Sequence, residues 1–231
     1  MNKRRYLACA IGALAILTSG CVFKPRVIPG MDELEALCLK DAGAIVNGIE
    51  KVDGYYLSTT KECAACVTLI GTGQYDFIEF EHDKDRSGTP VQGQPFGYYI
   101  AYKAPKGDPN CNEYFQRDLE RKKGSSYYKD FYKKNCIATK KIDAFRSKYL
   151  YASTGEIWIN NKIEGYEIYR SVDKVVNIKS KELLGQYTSY LLTPYSLFKR
   201  PESYMTLQCS GINKFKYKSI KKPIDTWVFG K

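Results

Sequence analysis

Tyr75-Asp76-Phe77-Ile78-Glu79-Phe80-Glu81 is the stretch on which the fold turns. Apolar and acidic side chains alternate along it, the period-two pattern of a strand with one buried face. Upstream, Val52-Asp53-Gly54-Tyr55-Tyr56-Leu57 reads as a turn entering a strand, and the apolar run Cys66-Val67-Thr68-Leu69-Ile70 reads as another. Gly97 to Tyr102 supplies a further aromatic strand. The period then changes. Tyr114, Phe115 and Leu119 stand at helical spacing, as do Tyr128, Phe131 and Tyr132, with Gly124-Ser125-Ser126 between them, which predicts two short basic helices. Strands return from Ile142 to Leu192. Thr154-Gly155 marks a turn before Glu156-Ile157-Trp158-Ile159, and Val172–Ile178 and Leu183–Tyr190 form a hairpin around Lys179-Ser180-Lys181-Glu182. Pro194 to Pro201 reads as loop, Tyr204 to Cys209 as a last strand, and Gly230-Lys231 as a loose end. Ahead of all these, Asp32 to Ala42 reads as a helix that Asp32 caps and Gly43 ends, with Leu34, Leu37 and Cys38 on one face. The expected class is α+β: mainly antiparallel β-sheet with an N-terminal helix and two short basic helices, disulfide-stabilised, in a single domain over 31–231.

Residues 1–20 have a different character. Lys3, Arg4 and Arg5 precede an apolar run from Tyr6 to Leu17, and Thr18, Ser19 and Gly20 close it. That is the layout of a secretory signal peptide. The run is shorter than the roughly twenty residues needed to span a bilayer. Leu17-Thr18-Ser19-Gly20-Cys21 resembles a bacterial lipobox, in which the cysteine thiol takes a diacylglycerol and becomes the new N-terminus. The expectation is a cleaved signal at 1–20, a lipidated tether at 21–30 carrying Pro25 and Pro29, and a periplasmic domain from 31 onward. The only prosthetic group expected is the lipid on Cys21. Val22 after that cysteine implies, by the sorting rule of bacterial lipoproteins, the outer membrane.

Removing the signal takes three of the 36 Lys and Arg residues and none of the 25 acids, so the net charge falls from +11 to +8. The excess is concentrated. Arg117 to Lys148 carries eleven basic residues against four acids, and Lys199 to Lys231 eight against two. Such a surface favours polyanions: anionic lipid head groups, lipopolysaccharide phosphates or an acidic protein. Nucleic acid is not expected in that compartment. Of the eight cysteines, Cys9 leaves with the signal and Cys21 carries lipid. Cys38, Cys63, Cys66, Cys111, Cys136 and Cys209 remain, an even number that reads as three disulfides in an oxidising compartment, with connectivity open.

Leu37-Cys38-Leu39-Lys40-Asp41-Ala42-Gly43 and Val52-Asp53-Gly54-Tyr55-Tyr56 are followed later by Arg170-Ser171-Val172, Leu183-Leu184-Gly185, Tyr190 and Cys209. In this the chain resembles a group of uncharacterised Gram-negative envelope lipoproteins, which share a Cys-x-x-Asp-x-Gly helix end, a late strand pair and a Cys near the C-terminus. The resemblance covers about a fifth of the mature chain. It implies the lipoprotein address and the fold outline, and it carries no catalytic residues.

Sites of chemistry are sparse. The one histidine, His82, would have to serve any Ser-His-Asp triad, and neither Gly-x-Ser-x-Gly nor His-Glu-x-x-His occurs. Cys63-Ala64-Ala65-Cys66 has the spacing of a thiol–disulfide exchange motif, which needs an exposed thiolate, often at a helix N-terminus. Because a strand is expected after Cys66, the two cysteines read as structural, each paired elsewhere. Asp83, Asp85 and Ser87, followed by Gly88, place oxygens at alternate positions as a calcium loop does. Gln94 at the twelfth position, Pro90, Lys84 and Arg86 argue instead for a charged hairpin tip. Tyrosines beside lysines, as at Tyr102-Lys103, Tyr128-Lys129 and Tyr132-Lys133, could stack a sugar, though tyrosine also suits half-buried sheet positions. The expected function is a non-enzymatic envelope lipoprotein that binds an envelope polyanion or a protein partner through a basic surface including Lys122, Lys123, Lys133 and Lys134. Two alternatives are a periplasmic thiol oxidoreductase using Cys63 and Cys66, and an immunity or exclusion lipoprotein. A hydrolase built around His82 is a further rival.

Overall fold

The computed structural model describes residues 28–58, 63, 65–84, 87–159, 165–194, 206–211 and 223–231. The expected signal peptide, Cys21 and most of the tether lie outside the described residues, as does the proposed loop at 195–201. The strands are β1 (Gly43–Val46), β2 (Gly54–Ser58), β3 (Phe77–His82), β4 (Gly97–Pro105), β5 (Asn135–Ile142), β6 (Tyr149–Ser153), β7 (Ile157–Trp158), β8 (Tyr166–Asn177), β9 (Leu183–Pro194) and β10 (Leu207–Gln208). The helices are α1 (Met31–Asp41), α2 (Cys66–Gly71), α3 (Glu113–Lys122), α4 (Ser126–Lys134) and α5 (Ile224–Val228). All ten strands join one sheet in the order β1-β9-β8-β6-β2-β3-β4-β5, with β7 added to β8 and β10 to β9. Its pairings are antiparallel except that β2 runs parallel to both β3 and β6. The class is therefore α+β and mainly antiparallel, as the residue patterns predict.

Parallel neighbours need a crossover connection. Between β2 and β3 that crossover contains α2, which corrects the strand expected at Cys66–Ile70. Cys66, Val67, Leu69, Ile70 and Gly71 are all buried and only Thr68 is exposed, so this short run carries too little polar surface to reveal its period. The hairpin of β8 and β9 is longer than predicted, pairing Tyr166 with Pro194 at one end and Val175 with Gly185 near the other.

Two helices cover opposite faces of that hairpin. On one face α1 lays Leu34 and Cys38 against Tyr166, Ile168, Tyr190 and Leu192, and a disulfide joins Cys38 to Cys209. The helix starts at Met31, with Gly30 rather than Asp32 at its cap. Gly30 has φ of 80°, and a Cβ there would lie 2.3 Å from the Tyr166 ring, so the chain enters α1 only over a glycine. Asp32 instead sits in the first turn, where its charge still complements the helix dipole. On the other face α5 buries Ile224, Asp225, Thr226 and Val228. The sequence reading places no element in this C-terminal segment; the structure packs it into the core with Phe229. Gly185 lets α5 approach, since a Cβ there would meet Val228 at 2.4 Å.

Burial on β3 exceeds the one face expected. Ile78, Phe80 and His82 are buried on alternate positions, yet Glu79 between them is also fully buried. Its carboxylate accepts hydrogen bonds from the backbone amides of Arg146 (3.0 Å) and Ser147 (2.9 Å). Phe145 beside them stacks on Tyr56 at 3.7 Å between ring centroids, so residues 143–148 close the second face. Removing the carboxylate leaves two amides without their acceptor, so Glu79→Ala should lower unfolding free energy by about 1–3 kcal/mol in a denaturant titration.

The Asp225 carboxylate lies among Tyr55 and Tyr75, whose hydroxyls donate to it at 3.1 and 2.9 Å. Burial holds this carboxyl above its ordinary 3.8, opposed by the hydrogen bonds from Tyr75, Tyr55 and the Thr226 amide. The folded chain therefore binds this proton more tightly than the unfolded chain does. The stabilisation that results is complete below pH 3.8 and is lost as pH rises through the folded-state value. Asp225→Asn removes the titration. Melting curves from acid to neutral pH should show wild type losing stability relative to this variant as pH rises.

Candidate functional site

The basic segment after β4 is built on a disulfide. Cys111 and Cys136 are joined, with Cα atoms 5.8 Å apart, and α3 and α4 form the chain between them. Asn112 caps α3: its Oδ1 accepts from the Tyr114 amide at 3.0 Å, and its Nδ2 donates to Thr139 on β5 at 2.8 Å. The helix is thus fixed to the sheet at its first turn. At the other end α4 passes into β5 without a loop. Phe115, Leu119 and Phe131 are buried between the helices and the sheet, and half-buried Tyr114, Tyr128 and Tyr132 pack against the same core. Gly71 of α2 admits Leu119 and Tyr128, to which a Cβ would come within 3.2 Å.

With the apolar sides locked down, the charged sides face solvent. Their charges fall into two groups. Asp118 holds Arg121 and Lys122, each at 3.0 Å. Glu120 takes Lys123 and the Tyr132 hydroxyl. Lys122 also lies over the Tyr128 ring, Lys123 over the Tyr132 ring, and Lys106 over Tyr132 at 4.2 Å. By contrast Arg117, Lys129, Lys133 and Lys134 are exposed and have no acidic partner among the described residues. Lys129 and Lys133 stand four apart, on one side of α4. Of the four lysines that sequence reasoning selected, Lys133 and Lys134 therefore present uncompensated charge, while Lys122 and Lys123 are tied to acids within α3. Arg117 and Lys129 complete the set. Their helical register was legible in the sequence, but the partners of their neighbours were not. An open cleft of about 790 Å³ separates this surface from the loop at Gly88, with Tyr114, Arg117, Glu120, Arg121 and Tyr132 along it.

His82 is fully buried on β3, its Nε2 3.1 Å from the Gln94 carbonyl and its ring edge-on to Phe96 and Tyr99. Asp83 and Ser87 are exposed, and Asp85 lies outside the described residues. Cys63 and Cys66 are bonded to each other, with Cα atoms 5.2 Å apart, which corrects the expectation that each pairs elsewhere. Both are fully buried. Three disulfides, and the absence among the described residues of a helix long and apolar enough to cross a membrane, are consistent with an extracytoplasmic protein.

No protein-family model, curated protein or solved structure matches the chain.

Proposed function

We propose that the protein is a lipid-anchored, non-enzymatic component of the bacterial envelope, held on the outer membrane through Cys21, which binds a phosphate-bearing polyanion on α3 and α4. The carrying observation is the set of four exposed cations, Arg117, Lys129, Lys133 and Lys134, that lack acidic partners among the described residues and sit on helices fixed to the sheet. Uncompensated charge on a rigid support attracts a polyanion without first breaking an ion pair, whereas Lys122 and Lys123 would have to give up Asp118 and Glu120. Reversing Lys129, Lys133 and Lys134 to Glu should abolish binding of inorganic polyphosphate and of lipopolysaccharide, measured by calorimetry at low salt. Reversing Lys122 and Lys123 should weaken it less, because that changes two charges already engaged by Asp118 and Glu120 rather than three without acidic partners among the described residues, and binding by wild type should fall steeply with salt. Undiminished binding after the triple reversal would sink the reading.

Thiol–disulfide exchange at Cys63 and Cys66 is a second reading, favoured by their mutual bond and by the helix that begins at Cys66. Burial of both sulfurs works against it, since exchange proceeds by attack of a thiolate on an accessible sulfur. Alkylation and mass counting after mild reductant distinguish the two. Six protected cysteines in the folded domain fit the binding protein; selective opening of Cys63 and Cys66 would transfer the function to them.

A further inference from the structure

We propose that β7 is a membrane-contact edge, which sets the protein on the bilayer with the basic helices pointing away from it. The inference rests on the reading that Cys21 carries the lipid. Ile157, Trp158 and Ile159 are consecutive, apolar and 50, 46 and 39 % exposed. Ile157 pairs with Arg170 and Trp158 with Tyr169, and the Ile159 amide donates to the Ile168 carbonyl. Ile157 and Ile159 therefore share the face of the sheet that carries α1, and Trp158 occupies the opposite face, so the edge is apolar on both sides.

The tether ends at the same place. Ile28, Pro29 and Gly30 lie against Tyr166 and Gly165, where β8 begins. Tyr166 is three residues from Tyr169, so Trp158 sits roughly 10 Å along the strand from the point where the chain enters the domain. Seven residue steps separate Cys21 from Ile28, a span of at most about 25 Å fully extended. A lipid on Cys21 thus confines this end of the sheet to the neighbourhood of the bilayer surface. A tryptophan flanked by isoleucines suits that boundary, where large, half-exposed aromatic rings gather at the level of the head groups. Asp32 and Glu33 at the start of α1 keep the rest of this end at the surface, so contact is confined to the β7 edge.

The other exposed tryptophan supplies the internal control. Trp227 is 49 % exposed on α5, next to Val228, which packs on Gly185. Gly185 pairs with Val175, nine residues from Tyr166 and thus roughly 30 Å along β8 from the tether. The basic helices are also remote: α4 runs into β5, five strands across the sheet from β8, or roughly 24 Å at the usual strand spacing. A bilayer beneath β7 leaves Arg117, Lys129, Lys133 and Lys134 free to meet a ligand off the membrane surface.

The test uses the full lipidated chain as extracted from the envelope, in two single-tryptophan forms, Trp227→Phe and Trp158→Phe. Each is reconstituted into phosphatidylethanolamine and phosphatidylglycerol vesicles with brominated acyl chains, and intact mass reports acylation of Cys21. Trp158 emission should shift to the blue and lose intensity against brominated lipid, while Trp227 emission should not change. On an acylated, vesicle-bound chain, an unquenched Trp158, or equal quenching of both tryptophans, overturns the contact edge and leaves the anchor standing. A mass without acyl groups overturns the anchor, and the inference falls with it.

Discussion

The long antiparallel pairing of β8 with β9 is the constraint on which the rest of the molecule depends. Eleven residue pairs run from Tyr166–Pro194 to Val176–Leu183. A ribbon of that length leaves two apolar faces to be covered. The α1 helix covers one, held by the Cys38–Cys209 disulfide across 171 residues of chain. The α5 helix and the main core cover the other, and Gly185 is the point where α5 can come close. The ribbon also pairs with its neighbours: β6, which leads on to β2 and the rest of the sheet, and β7 on the flank of β8, β1 and β10 on the flank of β9. Closing so long a loop with Cys38–Cys209 removes entropy from the unfolded chain, an effect on the order of 2–4 kcal/mol for disulfides generally.

From this ribbon the structure separates two kinds of surface. The end near Tyr166 receives the chain from its N-terminal side and presents the apolar β7 edge. The opposite border of the sheet, at β5, carries α3 and α4 with their solvent-facing cations. Between them stands a core rich in tyrosine, in which Tyr55 and Tyr75 share the carboxylate of Asp225. A buried carboxylate is costly unless hydrogen bonds satisfy it. Here the two hydroxyls do so, and burial also pushes the hydroxyls of Tyr55 and Tyr75 well above their ordinary 10.0, so they remain protonated donors at any physiological pH. The same logic holds at Glu79, where backbone amides replace hydroxyls. The two buried acids thus tie distant parts of the chain to the sheet: residues 143–148 in one case and the C-terminal helix in the other.

Periodicity made much of the architecture legible before any coordinate. The alternation after Tyr75 gives β3, the aromatic run from Gly97 gives β4, and the tyrosine, phenylalanine and leucine spacing from Tyr114 to Tyr132 gives α3 and α4. Cys38 on the apolar stripe of α1 foretells its staple to the body. The sequence reading left 136–141, most of β5, without an element, because the lysines at its exposed end mask the buried Cys136-Ile137-Ala138 run, and it missed two helices for a common reason. Both α2 and α5 are short and largely buried, with one exposed residue each, Thr68 and Trp227, too few to set a helical period, and a run such as Cys66–Ile70 is compatible with either strand or helix. Asp225 adds a buried polar residue in a segment to which the sequence reading gave no element, because its partners Tyr55 and Tyr75 are 170 and 150 positions away.

The candidate site divides in the same way. By itself the sequence determined that positive charge concentrates between Arg117 and Lys148, that two helices carry part of it, and that six cysteines are available for bonding, because composition and local period are properties of neighbouring residues. Only the tertiary structure decided which cysteines meet, that His82 is buried, and that the exposed cations of α3 and α4 without an acidic partner among the described residues are Arg117, Lys129, Lys133 and Lys134 rather than Lys122 and Lys123. Those outcomes depend on which side chains approach within a few ångströms once the chain has crossed the sheet, and local spacing alone does not specify such distances.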